Sequence, residues 1–278
     1  MLVGWVNGGV FCRNETWQEC ATQALEHYRS AGFPSSTCIG QIAASAYYGP
    51  MPARAAKARC AELLETEIDD RAGEATVLAH LGGLEAMLGE FDDAFAHLAI
   101  ARATYRDLGR DTAVARTCAP IEAQAARLLG DPERARSILV ESCEMLRVTK
   151  NWSHLSTQAA VLADALCVLG LYDEAGKWLD EAREHAADDD RETQLALRPV
   201  RSTLLLWRGD YVGAEAAARA GVELAAQTDA SNLRAACLVS LAQALRPIDR
   251  VDEAADALAQ ARALYEEKEN TAAIALLG

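Results

Sequence analysis

The chain has 278 residues, 51% of them hydrophobic, enough to bury a long core. Its 27 Lys and Arg against 41 Asp and Glu give a net charge of −14, which repels phosphate backbones and anionic bilayers and so argues against nucleic-acid and membrane partners. The eight cysteines have no CxxC or zinc spacing and fall within apolar stretches, where a free thiol acts as a small hydrophobe; this fits a reducing cytoplasm.

Residues 1–12 read as the tail of a helix whose front half is missing, and the apolar start lacks the basic flank of a signal peptide. Thr16-Trp-Gln-Glu19 has the form of a capping box and opens a helix over 16–31. The apolar periodicity then predicts helices at 35–48, 52–67, 72–88, 92–108, 111–129, 132–149, 153–169, 173–187, 191–208, 211–227, 231–246 and 251–268. No window approaches a membrane-spanning run of apolar residues. Pro120 and Pro199 fall inside predicted helices, where each removes a backbone donor and bends the helix. The acidic run Asp188-Asp189-Asp190 with Glu192 lacks the spacing of a calcium loop and reads as the cap of the helix at 191–208. A further helix starts at Asn270 and stops at once.

An internal repeat organises these helices. Gly49, Gly89, Gly130, Gly170 and Gly209 are spaced by 40, 41, 40 and 39 residues, and one more step lands on Asp249. Five residues after each lie Ala94, Ala135, Ala175, Ala214 and Ala254, with Arg54 in the earliest copy. Glycine ends one helix in a left-handed backbone conformation. Phe91, Tyr172 or Tyr211 plugs the turn, acidic residues such as Asp92 and Asp173 open the next helix at the positive end of its dipole, and alanine lets the two helices approach.

Leu81-Gly82, followed by Ala94, Leu98 and Ala101, and again Ala175, Leu179 and Ala182, resemble the tetratricopeptide repeat. The period here is longer than the family's value of about 34 residues. The resemblance implies an all-α, right-handed superhelix of antiparallel helix pairs in one domain over 1–278, with about six repeats plus a partial first repeat. It also implies binding rather than chemistry. The stretch from Asp252 to Asn270 is similar to the last repeat in the C-terminal region of bacterial AAA-type ATPase and nucleotide-cyclase regulators, which implies the sensor region of a cytoplasmic signalling or transcriptional regulator. A free-standing adaptor that scaffolds protein complexes is the alternative. Neither end carries a polar cap, so the chain reads either as a piece of a longer polypeptide or as one whose exposed repeat ends cap themselves or pair as a homodimer.

Motifs for phosphate loops, dinucleotide binding, zinc proteases and nucleophile elbows are absent, and the five histidines are scattered; no catalytic residue, metal or cofactor is expected. Charges stand where the repeat wants leucine. Leu81, Leu162 and Leu241 share a position that holds Glu122 and Arg201 in other copies. Asp164, Arg198 and Arg201 are isolated charges in apolar helices. Burying an unpaired ion costs several kcal/mol, so these groups must pair, as Asp164 with Arg201, or face a wet cavity. In the tetratricopeptide resemblance the first helices line a concave groove. Its positions are Thr117, Gln124 and Arg127, then Thr157, Asp164 and Cys167, then Thr203, Leu206 and Trp207, then Gln243 and Arg246. The candidate groove residues are therefore Glu122, Gln124, Arg127, Asp164, Arg198, Arg201, Thr203, Trp207 and Gln243, a mixed lining suited to a protein, peptide or small-molecule ligand. Trp207, bulky and near a helix end, is expected mainly in the core.

Overall fold

The structure, a computed structural model, describes residues 4, 6–66 and 70–277, and no strand occurs among them. A π-helical turn at Val6–Val10 precedes α1 (Asn14–Ser30). There follow α2 (Ser36–Tyr48), α3 (Ala53–Thr66), α4 (Arg71–Met87) and α5 (Phe91–Asp107). A short helical stretch, Asp111–Ala113, and a π-helical turn, Val114–Cys118, lead into α6 (Ala119–Leu129). The chain continues as α7 (Pro132–Val148), α8 (Trp152–Val168), α9 (Tyr172–His185), α10 (Arg191–Trp207), α11 (Tyr211–Ala225), α12 (Ser231–Leu245), α13 (Val251–Lys268) and α14 (Thr271–Leu276). Consecutive helices pack as antiparallel pairs, α4 with α5 through α12 with α13, in a right-handed superhelix of the tetratricopeptide type.

The glycine register explains the pairing. Gly89, Gly130, Gly170 and Gly209 have φ of 82°, 86°, 74° and 79°, and Asp249 takes the same role at 61°. At Gly170 the closing bonds run from Gly170 N–H to Cys167 O (3.0 Å) and from Leu171 N–H to Leu166 O (2.9 Å), the pattern that satisfies the last carbonyls of a helix. Gly49 departs from this register: its backbone is extended, at φ −82° and ψ −172°. There glycine answers a close approach instead, since a Cβ would lie 2.7 Å from both Asn14 Cβ and Ser45 O. Ala94, Ala135, Ala175 and Ala214 are fully buried between paired helices. Beside them Gly82 leaves no room for a methyl group, which would sit 2.7 Å from Ala94 O.

The superhelix closes on itself. In the connection between α11 and α12, the Asp229 carboxylate accepts from Asn14 N–H (2.8 Å), Asn14 Nδ2 (2.8 Å) and Glu15 N–H (2.9 Å), while Asp229 N–H donates to Cys12 O (3.2 Å). The capping box expected at Thr16 is thus corrected. Helix α1 begins at Asn14, makes no capping bond from its own N-cap side chain, and is capped by a carboxylate from the far side of the ring, where the helix dipole favours an anion. At the other end, Thr271 Oγ1 donates to Met87 O (3.2 Å), and Ala272 and Ala273 pack into the core of the N-terminal repeats. The solvent-accessible surface, 12471 Å², is near the roughly 11,700 Å² expected for a compact monomer of this mass.

Lys268 fastens the closure. It is fully buried, and its ammonium donates to Ala46 O (2.9 Å), Gly49 O (2.7 Å) and Met51 O (2.7 Å). Burial lowers its pKa to about 7, while three acceptors, one for each N–H, and the negative end of the α2 dipole hold the proton on. Replacement with a methionine of similar reach, Lys268→Met, strands those carbonyls. Leaving a buried acceptor unpaired costs roughly 1–3 kcal/mol, so urea unfolding should show a loss on the order of 3 kcal/mol or more. An unchanged midpoint would mean the closure carries no stability.

Candidate functional site

Closure leaves a half-open cavity of about 450 Å³ against the first helices of the repeats, running the length of α2 and lying near the N-terminal ends of α4, α6, α8, α10 and α12. Gly8, Gly9 and Cys12 bring the N-terminal segment against it. A side chain on Gly8 would run into the Trp17 ring, and Trp17 is itself fixed by Nε1–H donating to Gln41 Oε1 (3.0 Å).

Each wall helix contributes polar groups at helical spacing. On α4, the Thr76 hydroxyl shares a 2.6 Å hydrogen bond with the Tyr105 hydroxyl. One turn later, His80 Nδ1 lies 2.7 Å from Thr76 O, which makes Nδ1 the protonated nitrogen of a neutral ring. Burial lowers the His80 pKa to about 4. On α8, His154 Nδ1 meets Asn151 Oδ1 at 2.9 Å; burial, then the charge of Arg116, lowers its pKa to about 4. On α10, Asp190 caps the helix by accepting from Thr193 N–H (3.2 Å) and Thr193 Oγ1 (2.9 Å), as the acidic run implied. Glu192 faces the cavity, and burial, then Asp190, raises its pKa to about 7.

The α6 wall carries a local break in the helix. At Val114–Cys118 the helix shifts to π-register, with Ala119 N–H donating to Val114 O. In that register the next carbonyl, Ala115 O, should accept from residue 120, which is proline and has no N–H. Ser142 Oγ (2.9 Å) and Gln158 Nε2 (2.7 Å) supply the missing donors. Pro120 therefore costs the helix no unsatisfied carbonyl at Ala115, and the shifted turn directs Arg116 and Thr117 to the cavity.

The groove residues expected from the sequence lie elsewhere. Glu122 is buried and ion-paired with Arg102 of α5 and Arg134 of α7, inside the wall. Arg127 pairs with Asp164 at 2.6 Å, linking α6 to α8; their charges reach Tyr265 of α13, whose pKa burial raises to about 12. The Asp164–Arg201 pair does not form, because Arg201 is exposed. Arg198 donates to Gln194 O (2.6 Å) and Gln194 Oε1 (3.2 Å), and Thr203 Oγ1 donates to Pro199 O (3.1 Å). Trp207 is not in the core: it is 48% exposed and stacks on Tyr172 at 5.2 Å. Gln124 is half-buried and Gln243 exposed. Of the groove positions carried over by resemblance, Thr117 and Thr157 line the cavity. Arg110, Arg116, His80, His154 and Glu192 also line it but were not singled out from the sequence as groove residues. Of these, His154 lies one turn before the groove position Thr157.

Glu85, Glu90 and Asp93 place carboxylates within 4.8 Å of one another. Lys57 bridges Glu85 and Glu90, and His97 Nδ1 sits 2.7 Å from Glu85, so two of the three carboxylates already have protein partners.

No protein-family model matches the chain, and no curated protein sequence matches it. Solved structures do. A chain of the APC/C hetero-tetramer Cut9-Hcn1 matches with a TM-score of 0.69 at 17% identity, over 96% of this chain and 46% of that chain. This protein therefore spans less than half of that chain's length. NprR in complex with its cognate peptide NprX matches with a TM-score of 0.67 at 15% identity, over 99% of this chain and 80% of that chain. The apo form of the quorum sensor NprR from B. thuringiensis matches with a TM-score of 0.54 at 12% identity, covering 89% and 74% of the two chains. The class defined by this likeness is the tetratricopeptide-type helical-repeat fold.

Two outcomes follow from the electrostatics. Glu122→Leu leaves two guanidiniums without their carboxylate and should cost roughly 1–3 kcal/mol, whereas Arg201→Leu, at an exposed site, should stay within about 0.5 kcal/mol of wild type. Equal losses in urea melts would contradict the assignment. For Glu192, the folded pKa lies above its ordinary value of 4.5. The folded state therefore holds a proton between about pH 4.5 and 7 that the unfolded state releases, and stability from this group falls as pH rises through that window. Glu192→Gln should thus stabilise the protein above pH 7 by roughly 1–3 kcal/mol and do little below pH 4.5. Destabilisation above pH 7 would show that the carboxylate is a structural partner.

Proposed function

We propose that this protein is a non-catalytic binding module whose site is the half-open cavity, and that it takes a small molecule or short peptide there. The observation that carries this reading is a half-open space of about 450 Å³, within the usual range of small-ligand sites, whose wall presents two guanidiniums, a carboxyl and two neutral imidazoles. Arg110 and Arg116 are exposed and Glu192 is half-buried, so their charges are accessible to a ligand entering from solvent. Part of the surface where an open groove would bind is covered by the chain itself: α14 packs on α4 and α6, and Lys268 of α13 reaches the end of α2. The net charge of −14 argues against nucleic acid as the partner.

A role as the sensor region of a signalling regulator is supported by two resemblances: that of Asp252–Asn270 to the last repeat of such regulators, and that of the fold to a regulator seen with its peptide. An adaptor role is supported by a different feature, the exposed apolar residues Val168, Leu171, Trp207, Val212 and Val251 near the turns between paired helices. The two readings separate in one experiment. A collection of small metabolites and short peptides should raise the melting temperature of the wild type but not of Thr117→Trp, which fills the cavity. If nothing in the collection stabilises the wild type, or Thr117→Trp responds equally, the cavity is not the site.

A further inference from the structure

The charges on the cavity wall are separated by sign. Arg116 comes from the π-turn ahead of α6, near His154 and Tyr105, whose titrations both feel its charge. Arg110, which also lines the cavity, adds positive charge at the same repeat. Glu192 opens α10, near Cys12 and Tyr48, whose titrations feel the carboxylate. Among the described residues, no side-chain hydrogen bond or ion pair reaches Arg116 or Glu192, although nearly every other wall group named above has one.

These groups constrain what fits. Arg116 is exposed and Glu192 half-buried, so an apolar ligand seated over them would strip water from a guanidinium and a carboxyl with no compensation. An anion satisfies Arg116 and leaves Glu192 unpaired; a cation does the reverse. A ligand charged oppositely at its two ends satisfies both. The spacing favours a chain molecule, because α6 and α10 are separated by α8. Neighbouring helix axes lie about 8–10 Å apart, so the backbones carrying the two charges stand roughly 16–20 Å apart, and the inward-reaching side chains narrow that gap. An extended peptide covers about 3.3 Å per residue, so about three residues bridge what remains. The wall also offers the small residues Gly40, Ala44 and Ala113, which leave room for varied side chains.

We propose that the cavity binds a linear peptide of about three residues by its two free ends, with the α-carboxylate on Arg116 and the α-ammonium on Glu192. This rests on the reading of the cavity as the binding site. The test uses the intact protein and three forms of one mixed-sequence tripeptide library: free at both ends, N-acetylated, and C-amidated. In thermal-shift titrations the free library should stabilise the wild type, and either blocked library should need at least about tenfold more peptide for the same shift. Arg116→Gln should respond alike to the free and amidated libraries, and Glu192→Gln alike to the free and acetylated ones. The proposal is overturned if the blocked libraries act like the free one on the wild type, if only one end matters, or if the free library gives no shift. In the last case, a response to the metabolite collection that Thr117→Trp abolishes leaves the cavity as a site and removes only the peptide. No response to either set removes both.

Discussion

The architecture depends on a single ammonium group buried between the last full repeat and the first. Lys268 closes the ring by donating to three carbonyls at the end of α2 and the turn that follows. With Asp229 capping α1 from the opposite edge, it turns an open solenoid, whose groove faces solvent, into one whose groove is partly filled by its own C-terminal helices. What remains of the groove is the cavity. Each clasp meets a terminal demand of a helix: a cation at the carbonyls ending α2 and an anion at the amides opening α1. The closure thus uses groups that each helix end needs satisfied in any case.

The cavity's chemistry depends on a second local event, the π-turn before Pro120. One extra residue per turn there leaves Ala115 O without its helical donor, and the next two helices, α7 and α8, answer with Ser142 and Gln158. The break is held rigidly by neighbouring repeats, so Arg116 is positioned by packing rather than left on a mobile loop. Glu192 sits in the first turn of α10, two residues after the Asp190 cap that fixes its start. Both charges of the candidate site therefore stand on helix-terminal geometry that other residues have already satisfied.

The repeat was legible because it is local. Glycine at a left-handed turn and alanine at the helix contact act within one helix pair, and the spacing of Gly89, Gly130, Gly170 and Gly209 exposes them directly. The site was less legible because it arises from superhelical curvature, which no single repeat encodes. Glu122 and Arg201 share one register position but differ in fate: Glu122 has Arg102 and Arg134 beside it, whereas Arg201 has solvent. Trp207, bulky enough for the core, lies instead against Tyr172 on the outer edge. The contacts of Asp229 with Asn14 and of Lys268 with Gly49 join residues more than two hundred positions apart, beyond any periodic signal. The pattern of Thr16–Glu19 has the form of a local cap, whereas the group that caps α1, Asp229, lies on the far side of the ring.

Small-angle X-ray scattering of the wild-type protein in dilute solution tests the closure most directly. A closed chain of this length should have a radius of gyration of about 19 Å and a single-peaked distance distribution. A radius well above that, with the long tail of an elongated solenoid, would contradict the closed ring and remove the cavity along with it.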